Sequence, residues 1–144
     1  MIYKRKPKLF NPRFEVVSCF CEYQGKILML HRQDYKDRGN TWGVPAGKID
    51  NDEVPIEAIL RELREETSIQ RQSIDLKHLT KVYVRYPDYD FIYHIFHLTL
   101  DREENVEINL KEHKSFTWVS PQEALKMELV PDQDICIKMC YKLD

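Results

Sequence analysis

Residues 55–67 read PIEAILRELREET, and the spacing within this stretch sets the fold. Pro55 suits the first position of a helix, where its missing N–H costs nothing. Ile56, Ile59, Leu60 and Leu63 follow at i, i+3, i+4 and i+7, which gives a helix one apolar face to bury. Val54 stands at the cap position and is a poor N-cap. Glu62, Glu65 and Glu66 recur at i, i+3 and i+4, so their carboxylates gather on another side of the same helix. Like charges at that spacing cost roughly 0.2–0.5 kcal/mol per pair. A helix gains no stability from them. A hard divalent cation, which takes oxygen ligands, does need them. A solvated charged face with Arg61 and Arg64 as counter-ions is the other reading of the same residues.

Outward from this helix the chain alternates between strand and turn signals. Phe14–Glu22 and Lys26–His31 read as strands joined by a hairpin turn at Tyr23, Gln24 and Gly25. Gln33–Thr41 and Gly47–Val54 are polar and read as loops, with a short extended piece at Trp42–Pro45 between them. Beyond the helix, Leu79–Tyr86 and Phe91–Leu100 read as strands around a turn at Pro87–Asp90. Asp101–Lys114 is a charged loop and Ser115–Val119 a short strand. Ser120 followed by Pro121 opens a short helix. Asp132–Lys142 reads as a last amphipathic helix with Ile135, Met139 and Leu143 facing the core. Strands alternating with helices predict an α/β domain with helices flanking the sheet.

The chain has 144 residues, 42% hydrophobic and 32% charged, and a net charge of −2. That length suits a single domain, residues 1–144. The balance is that of a globular protein, with no global positive field to draw it to nucleic acid. Lys4, Arg5, Lys6 and Lys8 form the one basic cluster; a solvated, frayed terminus accounts for it, and a phosphate or RNA contact is the alternative. No stretch is long and apolar enough to span a membrane and no secretion signal opens the chain, which points to the cytoplasm and reduced thiols. Cys19, Cys21, Cys136 and Cys140 then read as small buried hydrophobes; their spacings are not those of zinc fingers. His94 and His97 fall on opposite faces of their strand and make no metal pair.

From Gly47 the residues run Gly47, five residues, Glu53, seven residues, then Arg61-Glu62-Leu63-Arg64-Glu65-Glu66-Thr67-Ser68-Ile69. This resembles the Nudix box, G-x₅-E-x₇-R-E-U-x-E-E-x-G-U, where U is a bulky aliphatic residue. Every fixed position matches except Ser68, where the family has glycine. Trp42-Gly43-Val44-Pro45-Ala46 resembles the strand that leads into the box. A residue just past a helix end often needs a left-handed backbone, so serine in place of glycine costs roughly 1 kcal/mol and removes no ligand.

The resemblance implies a Nudix α/β/α sandwich, a mixed curved sheet flanked by helices. It also implies a hydrolase that cuts a phosphoanhydride bond in a nucleoside diphosphate linked to another group. By position, Glu62, Glu65 and Glu66 become ligands of Mg²⁺, with Mn²⁺ as the alternative ion, and Glu62 or a neighbouring carboxylate the base. Ala46 matches the position that lends a backbone carbonyl. Arg61, Glu53 and Gly47 hold the loop and orient the ligands. A further carboxylate is expected from the loop before the last strand. Glu112 is the candidate, Glu103, Glu104 and Glu107 are rivals, and His113 reads as a surface histidine that can otherwise act as base.

Specificity lies outside the box. Tyr86 falls about where diadenosine-polyphosphate hydrolases carry a tyrosine. Trp42, Tyr83, Tyr89 and Phe91 can stack on a base, and His31, Arg32 and Arg38 can meet phosphate. A nucleoside triphosphate or dinucleoside polyphosphate is expected as substrate, against a nucleotide sugar or ADP-ribose. A nucleotide-sensing module without turnover and an isoprenoid-diphosphate isomerase are the competing classes. The intact set of glutamates argues against both. The family also makes a homodimer an expectation.

Overall fold

A computed structural model describes residues 1–144. Eight strands form one mixed sheet: β1 (Ile2–Tyr3), β2 (Pro12–Tyr23), β3 (Lys26–Arg32), β4 (Trp42–Gly43), β5 (Ala46–Lys48), β6 (Leu76–Arg85), β7 (Asp90–Thr99) and β8 (His113–Val119). Helices α1 (Pro55–Thr67), α2 (Pro121–Ala124) and α3 (Gln133–Tyr141) complete the fold, with a 3₁₀ turn at Ser73–Asp75. The strand order is β1-β6-β7-β2-β3-β4, with β5 added to β2 and β8 to β3. No helix is long and apolar enough to cross a membrane.

The central strand β2 is fully paired with β7, in parallel, over most of its length. Its other edge behaves differently. The hairpin turn Gln24-Gly25 has φ of 50° and 79°, the left-handed pair that a tight two-residue turn requires. Past the turn, β2 and β3 stay paired only at Glu22–Ile27 and Tyr23–Lys26. They then splay. Into the gap runs the segment 42–48: β4 pairs with β3 at Gly43 and Trp42, and β5 crosses to pair with β2 at Val16, Val17 and Ser18. The polar loop expected from Gly47 onward is therefore strand at its start. Its hydrogen bonds come from an edge that the splayed hairpin leaves unpaired.

The sheet buries two large cores and a small third cluster of Val82, Val84 and Phe91. On one face Val17, Cys19, Cys21, Leu28, Leu30, Phe96 and Leu98 pack against Ala58, Ile59 and Leu63 of α1. On the other, Phe20, Ile27, Met29 and Ile95 pack against Ala124 of α2 and Cys136 and Ile137 of α3. This is the expected α/β/α sandwich. The cysteines separate between the two faces, so a four-thiol zinc site is ruled out by the sheet itself.

Several local expectations need correction. Leu60 lies at the margin of the α1 stripe, and fully buried Ala58 takes a place in it. Ile135 is 42% exposed, and Cys136 and Ile137 turn inward instead; Met139 and Leu143 pack at the core edge as expected. The basic N-terminal cluster is solvated but not frayed, because β1 pairs with β6 and Phe10 is buried. Strand β6 starts at Leu76 and β8 at His113, each earlier than the apolar pattern indicated.

Candidate active site

The insertion of 42–48 between β2 and β3 brings Gly47 against α1. A β-carbon there would lie 2.1 Å from the Glu62 carboxylate carbon, so only glycine leaves room for that carboxylate. Arg61 ties the same loop to the helix. Its Nε and Nη2 donate to the two oxygens of Glu53 at 2.8 and 2.9 Å, and Nη2 also reaches the Lys48 carbonyl at 3.0 Å. Its Nη1 donates to Glu62 Oε1 at 2.8 Å and to Glu65 Oε2 at 3.2 Å. The bidentate pair holds the Glu53 carboxyl down at about 2. Glu53 also accepts from the Asp50 N–H and so fixes the turn before α1. The helix start is secured by Glu57, which accepts from the N–H of Val54, the residue with no capping side chain of its own.

The three glutamates do not share one environment. Glu65 is exposed, Glu62 half-buried, and Glu66 only 8% exposed, at the edge of the buried stripe rather than on an opposite face. Glu66 Oε1 accepts from the Ala46 N–H at 2.9 Å. Burial pushes its carboxyl well above the usual range, and the charge of Glu62 adds to the shift. Burial raises Glu62 as well, opposed by Arg61. Two desolvated carboxylates that repel each other are a donor set that a hard cation relieves. No three acidic, histidine or cysteine side chains already converge at ligand distance, and Arg61 bonds both Glu62 and Glu65.

From Glu66 a cleft of about 250 Å³ runs toward α3. It is lined by Ala46, Glu66, His113 and Arg32, by the aromatic group Tyr86, Tyr89, Phe91 and Tyr93, and by Asp132, Gln133 and Cys136 from the α3 side. The Arg38 guanidinium lies 5.8 Å from the Tyr86 ring centre at the cleft, and burial raises the Tyr86 hydroxyl.

A model of the NUDIX domain matches residues 12–140. The chain belongs to the Nudix hydrolase family. It is 33% identical over 119 residues to a CTP pyrophosphohydrolase of Escherichia coli, covering 81% of this chain and 83% of that protein. Over 77 residues it is 30% identical to an RNA pyrophosphohydrolase of Actinobacillus succinogenes, covering 54% of this chain and 36% of the relative. The solution structure of the E. coli ORF135 protein superposes with a TM-score of 0.74 at 28% identity, covering 90% of this chain and 89% of that one. The chain is thus a MutT-like hydrolase of nucleotide pyrophosphate bonds.

Within this Nudix site, Arg61, Glu53, Gly47, Ala46, Glu62, Glu65 and Glu66 come together around α1, and of these Ala46 and Glu66 line the cleft. Glu112 stands nearby. It pairs with Lys36 at 3.0 Å, and its charge acts on Glu66. The rival Glu104 is committed to Arg71, and the backbone of Glu107 anchors the end of α1 through Thr67 and Ser68. Arg32, Arg38, Tyr86, Tyr89 and Phe91 line the cleft. Trp42 and His31 do not: their rings stack on each other at 4.2 Å. Tyr83 packs edge-on against Phe10 instead.

Sequence reasoning missed Gln133 and misplaced His113. His113, taken for a surface histidine, is 5% exposed, and its Nδ1 has no hydrogen-bond partner. Burial, with the charge of Arg32, pulls its pKa down to about 4. Gln133 is 3% exposed; its Oε1 accepts from the Val44 N–H at 3.2 Å, and its Nε2 has no partner. Neither position carries a sequence signal, since each depends on which remote segment closes over it. Ser68 does take the left-handed backbone expected of it, with φ of 65°.

Proposed function

We propose that this chain hydrolyses a phosphoanhydride bond of a nucleoside triphosphate in the presence of Mg²⁺ or Mn²⁺. The observation that carries the reading is the continuity of the cleft. An aromatic wall suited to a base, two arginines suited to phosphates and a buried carboxylate all line a single cavity. Its volume of about 250 Å³ lies just below the usual range of small-molecule pockets, roughly 300–1,000 Å³. That favours one nucleoside over the two of a dinucleoside polyphosphate. The likeness to a CTP pyrophosphohydrolase makes cytidine nucleotides the first to test.

Glu62, Glu65 and Glu66, with Glu112 and the Ala46 carbonyl, would hold the cation. When bound, it supplies charge neutralisation at the phosphate oxygens and at the leaving phosphate. The chain's own residues do the rest. Tyr86 stacks on the base, and Arg38 and Arg32 bind the phosphates. The unpartnered Nε2 of Gln133 donates to a carbonyl of the base, with its amide orientation already fixed by Val44. Glu62 Oε1 is engaged by Arg61, which leaves Oε2 to accept the proton of the attacking water. Its raised pKa makes it a better base for that transfer. No covalent intermediate is needed.

The test is pyrophosphate release from CTP, UTP, ATP and GTP, set beside turnover of diadenosine tetraphosphate, ADP-ribose and a nucleotide sugar, with Mg²⁺ and with EDTA. Turnover of a triphosphate that EDTA abolishes is the expected result. Turnover of none of the triphosphates, or undiminished turnover in EDTA, overturns the reading.

A further inference from the structure

His113 and Gln133 hold the only two buried side-chain nitrogens or oxygens in the molecule that lack a partner, and both line the cleft. An unpaired buried donor costs roughly 1–3 kcal/mol, so a protein that keeps one in a site has a use for it. His113 is the more constrained of the two. Its N–H donates to the Asn109 carbonyl at 2.9 Å, and its own carbonyl accepts from Gln33 Nε2 at 3.4 Å. The register between β3 and β8 shifts between His31 and Arg32, which sets Arg32 opposite His113. The backbone under the ring is therefore pinned on both sides. One carboxylate stands at ion-pair distance from the ring, with Nδ1 3.7 Å from Glu66 Oε2; the charge of Glu112 also acts on it.

Glu66 needs what His113 can give. Its Oε1 is already held by the Ala46 N–H, while Oε2 accepts no hydrogen bond. A carboxylate held at one oxygen still pivots about that bond. A donor at the second oxygen fixes the plane of the group, and with it the direction of the remaining lone pairs. Drawing Nδ1 and Oε2 together by under an ångström gives a hydrogen bond of ordinary length.

We propose that His113 is a positioning residue whose Nδ1–H donates to Glu66 Oε2 and orients that carboxylate toward the cation and the phosphates. This rests on the reading of Glu66 as a cation-holding group. Partners that orient a metal ligand typically change metal affinity or activity by about 10–100-fold when lost. In this role the ring acts through Glu66 and not on the nucleotide, so its loss should appear in metal affinity and kcat.

The test is Mn²⁺ binding to the nucleotide-free chain, followed by electron paramagnetic resonance, beside steady-state kinetics in Mg²⁺. His113→Phe and His113→Leu remove the donor at two side-chain sizes, and His113→Asn restores an N–H near the Nδ1 position. The expected result is about tenfold or more weaker Mn²⁺ binding in the Phe and Leu variants, a matching loss of kcat and an unchanged KM for nucleotide. The Asn variant should recover most of both. Wild-type Mn²⁺ affinity in either the Phe or the Leu variant, or an Asn variant no better than they are, overturns the proposal. Glu66→Gln separates the two levels. If it titrates like the wild type, the cation-holding reading of Glu66 has failed; if it binds weakly while His113→Phe does not, only the role of His113 has.

Discussion

The α1 end of the site, which meets the cleft through Ala46 and Glu66, and the α3 end of the cleft are built on opposite plans. At the α1 end, Glu53, Arg61, Glu62 and Glu65 lie within a few turns of chain and bond to one another through a single guanidinium. At the α3 end, Tyr86, Tyr93, Asp132 and Gln133 come from segments far apart in sequence, and Gln133 keeps a donor without an acceptor. The first end is a closed polar network whose geometry is set before anything binds. The second is an aromatic wall with a few polar groups left for a ligand to satisfy. The contrast assigns the chemistry to the local network and the choice of substrate to the assembled wall.

The sharpest way to break that division is at the α1 end. Glu62→Gln or Glu66→Gln should lower kcat by at least about 10², measured by pyrophosphate release. Gly47→Ala should cost a similar factor, because its β-carbon displaces the Glu62 carboxylate. The far-UV circular dichroism should stay that of the native fold, since the group displaced is a side-chain tip. Full activity in Gly47→Ala would show that the Glu62 position is not set by this contact.

The opposite end should answer in KM. Tyr86→Ala removes a base-stacking partner and Arg38→Ala a phosphate contact, each worth roughly 1–2 kcal/mol. KM for the preferred nucleotide should rise by about five- to thirtyfold with kcat nearly unchanged. A fall in kcat as large as that of Glu62→Gln would dissolve the distinction between the two ends.

A smaller effect tests the cost of the α1 network itself. The Glu66 carboxyl is raised in the folded state by burial and by Glu62. Between its unfolded and folded pKa values the native chain binds more protons than the unfolded one, so stability falls as pH rises through that window. In EDTA, Glu66→Gln should therefore melt close to the wild type at acid pH and increasingly above it as pH rises. A Tm difference that shrinks with rising pH would contradict the assignment. Glu53 acts in the reverse sense. Its carboxyl is lowered to about 2, so its contribution is present at neutral pH and fades as pH falls from the ordinary carboxylate range toward 2.

The smallest expected change is at Ser68, which ends α1 in a left-handed conformation. Glycine there relieves about 1 kcal/mol of backbone strain but gives up the Ser68 Oγ bond to the Glu107 carbonyl, 3.2 Å long. The two nearly offset. Ser68→Gly should raise Tm by no more than roughly 2–4 °C and leave turnover unchanged. A lower Tm would mean that the hydroxyl bond outweighs the strain.

The sequence by itself determined what depends on neighbours along the chain. The α1 helix, its glutamates and the hairpin turn around Gln24-Gly25 follow from residue spacing, because a helical turn or a tight turn brings only near neighbours together; the Arg61–Glu53 tie was legible only through the resemblance to the Nudix box. Tertiary structure decided the rest. It drew Glu66 from an expected charged face into a nearly buried position, and it sent segment 42–48 into the gap between β2 and β3. It also turned His113 inward and Trp42 away from the cleft. Each of these outcomes turns on which distant strand or helix lies alongside, and a pattern with a period of two or of 3.6 residues carries no information about that partner.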